Sequence, residues 1–62
     1  MRFLQTEMGA LIGAPHIVRI GGLNTRATRR WHEVDYVHVP EAHSTTATEQ
    51  AVSDFLDSTD ED

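Results

Sequence analysis

Three short apolar runs, separated by glycines and polar segments, occupy the chain up to Pro40. The first run covers residues 2–7 (RFLQTE) and the second covers residues 11–20 (LIGAPHIVRI). The third covers residues 31–39 (WHEVDYVHV) and stops at the proline. Aromatic and β-branched side chains bounded by turn residues are typical of β-strands. The pattern therefore predicts strands over about 2–7, 11–20 and 31–39.

The segment between the second and third runs, residues 23–30 (LNTRATRR), is polar and is predicted to be a loop. Pro15 interrupts the second run and cannot donate a hydrogen bond to a sheet. We therefore expect the more regular part of this strand at residues 16–20, with Leu11 and Ile12 as an approach segment.

Near the C-terminus the apolar spacing changes to that of a helix. Thr46 and Glu49 have the spacing of a capping box, in which each side chain satisfies the other residue's backbone donor. An apolar stripe at helical spacing is formed by Ala47, Ala51, Val52, Phe55 and Leu56. The pattern predicts a helix over about 47–57, and residues 58–62 are predicted to be an acidic, disordered tail.

Together these elements predict an α+β fold, a three-stranded antiparallel β-meander with one C-terminal helix packed across it. Residues 1–57 are predicted to form the single domain of this 62-residue chain. A domain of about 60 residues buries only about 60% of its unfolded surface, so it is marginally stable without a partner.

One antiparallel register of the second and third strands satisfies both apolar and charged pairs. It places Arg19 opposite Asp35, a favourable cross-strand ion pair. With Ile20 opposite Val34 and Val18 opposite Tyr36, one apolar face contains Val18, Ile20, Val34 and Tyr36. The helix would cover this face.

The same register leaves an apolar set on the other face of the sheet, formed by Ile17, Trp31, Val37 and Val39. Burial of apolar surface stabilises a protein by about 25 cal/mol per Å². If these side chains stayed exposed, the domain would lack stabilisation that a small chain needs. Either a second subunit covers this face, most simply through a two-fold axis, or a β-bulge returns residues 37–39 to the first face. With Arg19 setting charge complementarity, we interpret the set as an interaction surface for a second copy or another protein.

Charge is divided unequally along the chain. Residues 1–30 carry five arginines and one glutamate, a net charge of +4, and residues 31–62 carry nine acids and no base, a net charge of −9. The whole chain therefore has a net charge of −5. Such asymmetry favours pairing between the two halves, within one chain or between two.

The arginine-rich segment supports an alternative function. Arg26, Arg29 and Arg30 could contact phosphates while Trp31 stacks on a base, as in a weak nucleic-acid binder. The net negative charge argues against this function. We favour the interpretation that these arginines neutralise the acidic half of the chain, or the acidic tail of a second subunit.

Metal binding and catalysis have little support in the pattern. Without cysteine, the chain has no disulfide or thiolate metal site. His32 and His38 on one strand lie about 20 Å apart at about 3.3 Å per residue. The nearer pairs, His38 with His43 and His16 with His38, have no recognised ligand spacing. We expect no metal and no other cofactor.

An enzyme is not expected either. Hydroxyl side chains follow His43, but a catalytic site also needs an orienting third group and a pocket that excludes water. A chain of 62 residues has little volume for one. No apolar run approaches the roughly 18 residues of a membrane span, and we expect a cytoplasmic protein.

In layout, the segment FLQTEMGALIGAPHIVRI, followed by a loop, a strand and a terminal amphipathic helix, resembles a broad set of very small bacterial proteins. These include uncharacterised proteins and the short regulators of flagellar operons. In them a strand leads through a glycine turn to a second strand that ends in an aliphatic run. The resemblance covers residues 3–39, implies the predicted fold and transfers no functional residue. The long arginine loop, where a tight hairpin is usual, and Pro15 depart from the pattern. We expect a small non-catalytic interaction or regulatory protein that self-associates.

Overall fold

The computed structural model describes residues 2–58 and has an α+β architecture, as predicted. Its strands are β1 (Phe3–Gln5), β2 (Leu11–Gly13), β3 (Ile17–Arg26), β4 (Arg29–His38) and β5 (Glu41–Thr48), and its helix is α1 (Glu49–Asp57). The strands form a two-stranded sheet, β1-β2, and a three-stranded sheet, β3-β4-β5, both antiparallel. The predicted single meander of three strands is therefore wrong in strand number. Of the predicted acidic tail, residues 59–62 lie outside the described residues.

The predicted second strand, 11–20, is two strands that belong to different sheets. A 3₁₀ turn, Ala14–His16, separates them and contains Pro15 in its first turn. Proline fits this position because its fixed φ suits a helical turn and its missing N–H has no partner to lose there. The break that proline introduces thus redirects the chain from β2 into β3.

Thr6 organises the tight connection between β1 and β2. Its side chain is buried, and its Oγ1 accepts hydrogen bonds from the backbone N–H of Met8 at 3.3 Å and of Ala10 at 3.1 Å. Gly9 has a φ of 90°, a conformation that favours glycine. Glu7 N donates to Thr46 O at 3.0 Å, which holds this connection against β5.

The predicted loop at 23–30 is instead a β-hairpin. β3 and β4 pair up to Arg26 and Arg29, and only Ala27 and Thr28 form the turn. Ala27 has a φ of 54°, where a short hairpin turn ordinarily uses glycine or asparagine. The chain therefore forms a hairpin whose turn lacks the usual glycine or asparagine.

β5 was not predicted, because residues 41–48 (EAHSTTAT) are mostly polar. The strand pairs with β4 along its length, from His38–Glu41 to Trp31–Thr48. The helix therefore begins at Glu49 rather than at residue 47. Its N-cap is Thr48, whose Oγ1 accepts a hydrogen bond from Ala51 N at 3.1 Å, so the predicted N-cap at Thr46 is wrong.

Two bulges in β3 adjust the predicted register. The pairs Ile20–Val34 and Arg19–Asp35 are confirmed, but Tyr36 pairs with Ile17 and not with Val18. One register shift lies between Ile17 and Arg19, and the second lies between Ile20 and Leu23, at the two glycines. Each bulge inserts one residue and reverses the alternation of side chains. Ile17 and Ile20 consequently both pack against the core, although a regular strand would put them on opposite faces.

The core lies between the two sheets and the helix. Its buried apolar residues are Leu4, Ile12, Val34, Ala47, Val52 and Phe55. Leu4 and Val34 are completely buried and come from different sheets. The first hairpin, β1-β2, thus contributes core side chains together with the helix and closes one side of the domain.

Candidate interaction surfaces

An apolar cleft opens between the first hairpin and the C-terminal end of β4. Its volume is about 480 Å³, and its lining residues are Phe3, Leu11, Ile12, Gly13, His16, Tyr36, Val37, His38 and Val39. Phe3 is 53% exposed, Leu11 64% and Val39 81%. The lining contains no Asp, Glu, Lys or Arg, although 24% of the chain is charged. This apolar cleft therefore differs from the surrounding surface in both hydrophobicity and charge.

Local structure explains why these side chains meet at the cleft. Phe3 and Leu11 lie on the outward face of the first hairpin, since the intervening pair Leu4–Ile12 points into the core. Val39 follows the last residue of β4 and is joined to Pro40 by a cis peptide bond. The turn presents the valine side chain at the rim of the cleft instead of within the sheet.

The structure brings together only part of the predicted protein-interaction set. Val37 and Val39 both line the apolar cleft. Ile17 was predicted on the uncovered face, and this placement is wrong because the bulge at Val18 turns Ile17 toward the core. Trp31 lies at the opposite end of β4, where it pairs with Thr48.

Phe3 and Leu11 were not among the predicted site residues. The alternation of side chains along the first hairpin could have identified them, because flanking residues point outward when Leu4 and Ile12 are buried. That inference required the pairing of residues 3–5 with 11–13. The sequence pattern instead predicts that Leu11 belongs to one longer strand, residues 11–20.

Most of the arginines proposed for nucleic-acid contact are engaged in ion pairs. Arg29 Nη2 lies 2.6 Å from Glu7 Oε1, and the Arg29 guanidinium stacks 4.0 Å above the ring of Trp31. Arg30 donates two hydrogen bonds to the carboxylate of Glu49, at 2.7 and 3.1 Å. These contacts place positive charge from the hairpin against acids of the first connection and of the helix.

β3 contains two arginines, Arg19 and Arg26, and only Arg19 forms an ion pair within residues 2–58. Arg19 Nε donates to Asp35 Oδ2 at 3.2 Å, and the same carboxylate accepts a hydrogen bond from Ser44 Oγ at 2.9 Å. Arg26 has no ion pair within residues 2–58 and lies opposite Arg29 in the sheet. The cross-strand pair at the tip of the hairpin is thus a pair of like charges.

Hydrogen bonding to the ionised carboxylates lowers their pKa values. The pKa of Glu7 is below its ordinary value because its carboxylate accepts hydrogen bonds from Arg29 and from Thr46. The pKa of Asp35 is lowered by Ser44 and then by Arg19. The Arg30 guanidinium likewise lowers the pKa of Glu49. These three carboxylates are therefore ionised at neutral pH.

The histidines are dispersed. His16 and His38 line the apolar cleft, and the ring of His43 stacks on Tyr36 with centroids 5.3 Å apart. His32 Nδ1 lies 2.8 Å from Gly21 O. Within the described part of the chain, no three His, Asp or Glu side chains converge to hold a metal ion.

Two further findings concern the whole of the described chain. From residue 2 to residue 58, no helix has the length and apolar character needed to cross a membrane. No protein-family model matches the sequence, and comparisons with curated proteins and with solved structures find no match.

Proposed function

We propose that this protein is a small, non-catalytic interaction protein that self-associates through the apolar cleft, in a cytoplasmic regulatory role. The observation that carries the proposal is a continuous exposed patch in which Phe3, Leu11 and Val39 surround a cleft without charged side chains. Exposed apolar patches of this kind mark interaction sites in soluble domains. The absence of cysteine supports a reducing compartment.

A second copy is the occupant that suits the patch best. In a two-fold dimer the same patch faces itself, so any projection on it must meet a recess on it. Val39 is the most exposed residue of the patch, at 81%, and stands beside the cleft that Phe3 and Leu11 help to line. A two-fold axis that passes between Val39 and the cleft would place the valine of each copy in the cleft of the other.

The distribution of charge also favours the apolar cleft as the contact between two copies. Each chain carries a net charge of −5, so two copies repel one another wherever their acidic surfaces meet. The cleft lining contributes no formal charge. An isologous contact there would bury apolar side chains while keeping the carboxylates of the two copies at the periphery.

The dimer is expected to be weak. A standard interface buries about 800 Å² per partner, whereas the whole surface of the domain is 4483 Å². The three exposed side chains of the patch, at no more than about 250 Å² each when fully exposed, cannot supply that area alone. Association should therefore depend on concentration, with a dissociation constant in the range of about 1 μM to 1 mM.

A matched pair of leucine variants tests the proposal. Leu11 in the cleft and Leu56 on α1 are almost equally exposed, at 64% and 63%. Light scattering after size exclusion should show a concentration-dependent dimer for the unmodified chain and for Leu56→Asp. Leu11→Asp should remain a monomer. Equal association by both variants would exclude the cleft as the interface, and a monomeric unmodified chain at millimolar concentration would exclude self-association.

A further inference from the structure

The outer edge of β3 is a second surface with recognition potential, separate from the apolar cleft. In the three-stranded sheet, β4 is central and pairs on both sides, and β5 is contacted at its outer edge by Glu7. β3 pairs only with β4 within residues 2–58. An unpaired edge presents backbone N–H and C=O groups that can pair with an extended segment of another chain. None of the residues that line the cleft belongs to β3.

The two bulges restrict which part of this edge can pair. They disrupt the ladder between Ile17 and Arg19 and between Ile20 and Leu23, and bulges of this kind protect an edge against pairing. From Leu23 to Arg26 the register with β4 is regular. The accessible edge is therefore a short segment, residues 23–26, next to the hairpin turn.

Charge specifies what this edge segment can bind. Residues 8–32 contain four arginines and neither aspartate nor glutamate, and β3 itself contains Arg19 and Arg26. Within this set, Arg19, Arg29 and Arg30 already contact carboxylates of the domain. Arg26 does not form an ion pair in the described range, and it faces Arg29 across the ladder. Like charges directly opposite one another in a sheet are destabilising, so a carboxylate brought to this position would relieve the repulsion.

We propose that the edge of β3 at residues 23–26 binds an extended acidic segment of a protein partner as a fourth strand of the sheet. Backbone hydrogen bonds to the edge supply the affinity, and a carboxylate placed against Arg26 supplies the preference for acidic sequences. A second copy of β3 is a poorer occupant, because β3 carries two arginines and no acid. Nucleic acid is also a poorer occupant, since it brings no strand to pair and Arg26 is the only arginine of β3 or β4 without an ion pair within residues 2–58.

An NMR titration of the ¹⁵N-labelled full chain at low salt tests this inference. The probe is a capped eight-residue peptide that alternates glutamate and valine. One control peptide has lysine in place of each glutamate, and a second has alternate backbone nitrogens methylated so that they cannot donate. We expect amide shifts centred on residues 23–26 with the acidic peptide alone. Arg26→Glu should weaken binding by at least about fivefold, whereas Arg26→Lys should retain most of it.

Several outcomes would overturn the inference. Equal binding of the lysine peptide would remove the charge preference, and equal binding of the methylated peptide would remove the strand pairing. If the acidic peptide causes no amide shifts at residues 23–26, this edge is not the binding site. Shifts at the same residues with a mixed-sequence oligonucleotide, lost steeply as salt rises, would make the edge a nucleic-acid contact instead. Repeating the titration with Leu11→Asp separates this surface from the dimer, because peptide binding should persist when the cleft is disrupted.

Discussion

Arg19 and Asp35 face each other across β3 and β4, with Arg19 Nε 3.2 Å from Asp35 Oδ2. The pair lies between the two bulges of β3, next to the pair Ile20–Val34. Between the two bulges, β3 pairs with β4 only through these two residue pairs, which fix the register of the strands there. They also separate the exposed, charged face of the sheet from the face that packs against the core.

The left-handed conformation of Ala27 is a local source of instability. At a φ of 54° the Cβ of a non-glycine residue is unfavourably close to the backbone, at a cost of about 1–2 kcal/mol. Ala27→Gly should therefore stabilise the domain by about 0.5–1 kcal/mol, after the extra entropy of glycine in the unfolded chain is deducted. Urea denaturation measures the change.

Ala42 provides the matched control for this substitution. It is exposed in β5 and has no positive φ, so Ala42→Gly should destabilise the domain by about 0.5–1 kcal/mol. If the unfolding free energy rises for Ala27→Gly and falls for Ala42→Gly, the left-handed conformation of Ala27 is supported. The same sign for both would contradict it.

The first hairpin is predicted to be essential for folding. Leu4 is completely buried among core residues of both sheets and the helix, and truncating a buried leucine to alanine costs about 2–5 kcal/mol. The core of so small a domain rarely supplies more than about 3–5 kcal/mol in total. Leu4→Ala should therefore leave the chain largely unfolded at 25 °C, as judged by circular dichroism.

Leu11 pairs with Gln5 in the same hairpin and is 64% exposed. Leu11→Ala should change the unfolding free energy by less than about 1 kcal/mol. Comparable losses for Leu4→Ala and Leu11→Ala would show that the hairpin does not pack with Leu4 in the core and Leu11 on its outer face.

The start of α1 provides a prediction about capping. Thr48→Ala removes the acceptor for Ala51 N and should cost about 0.5–2 kcal/mol. Thr48→Ser retains a hydroxyl at the same position and should recover most of that stability. If Thr48→Ala is neutral in urea denaturation, the helix does not begin as the structure shows.

The contact of Glu7 with Arg29 and Thr46 should make stability depend on pH. The folded-state pKa of Glu7 is lowered, so its stabilising contribution is fully present above the ordinary carboxyl pKa of about 4.3. That contribution is lost as the pH falls through the lowered folded-state pKa. Glu7→Gln should melt at a lower temperature than the unmodified chain at neutral pH, and the difference should shrink toward pH 3.

Glu33 is a suitable control for the pH series. It is exposed in β4 and makes no ion pair within residues 2–58. At neutral pH, Glu33→Gln should therefore melt at nearly the same temperature as the unmodified chain, whereas Glu7→Gln should melt lower. A constant difference for Glu7→Gln across the same pH range would mean that its carboxylate is not held in the ionised form by Arg29 and Thr46.

The sequence predicted correctly those elements in which the pattern of apolar and charged residues agrees with their burial and pairing in the structure. The α+β class was correct, and the amphipathic helix differs from its predicted bounds only at its start, where two further residues belong to β5. The pairs Arg19–Asp35 and Ile20–Val34 were correct because opposite charges and apolar side chains both favour that register. These features depend on local spacing and on nearest neighbours.

Other features were missed because no local pattern marks them. β5 is polar, and Ala47 is its only buried residue, so its strand conformation depends on pairing with β4. The turn at Ala27 lacks glycine, and the arginine-rich segment therefore looked like a loop. The bulges put Ile17 and Ile20 on one face, a spacing that simple alternation cannot produce.

The candidate site was only partly predictable for the same reasons. Val37 and Val39 lie near one another in sequence and remain together at the cleft. Phe3 and Leu11 join them only because the first hairpin packs beside the end of β4. That contact is tertiary, and the strand pattern gave no indication of it.

Isotope-filtered NMR on a mixture of ¹³C-labelled and unlabelled chains shows directly whether two copies meet at the apolar cleft. For a dimer at the cleft we expect intermolecular cross-peaks between the Val39 methyl groups of one copy and the aromatic protons of Phe3 or Tyr36 in the other. These cross-peaks should disappear in Val39→Asp. Intermolecular cross-peaks located only elsewhere, or none at millimolar concentration, would rule out a dimer at the apolar cleft.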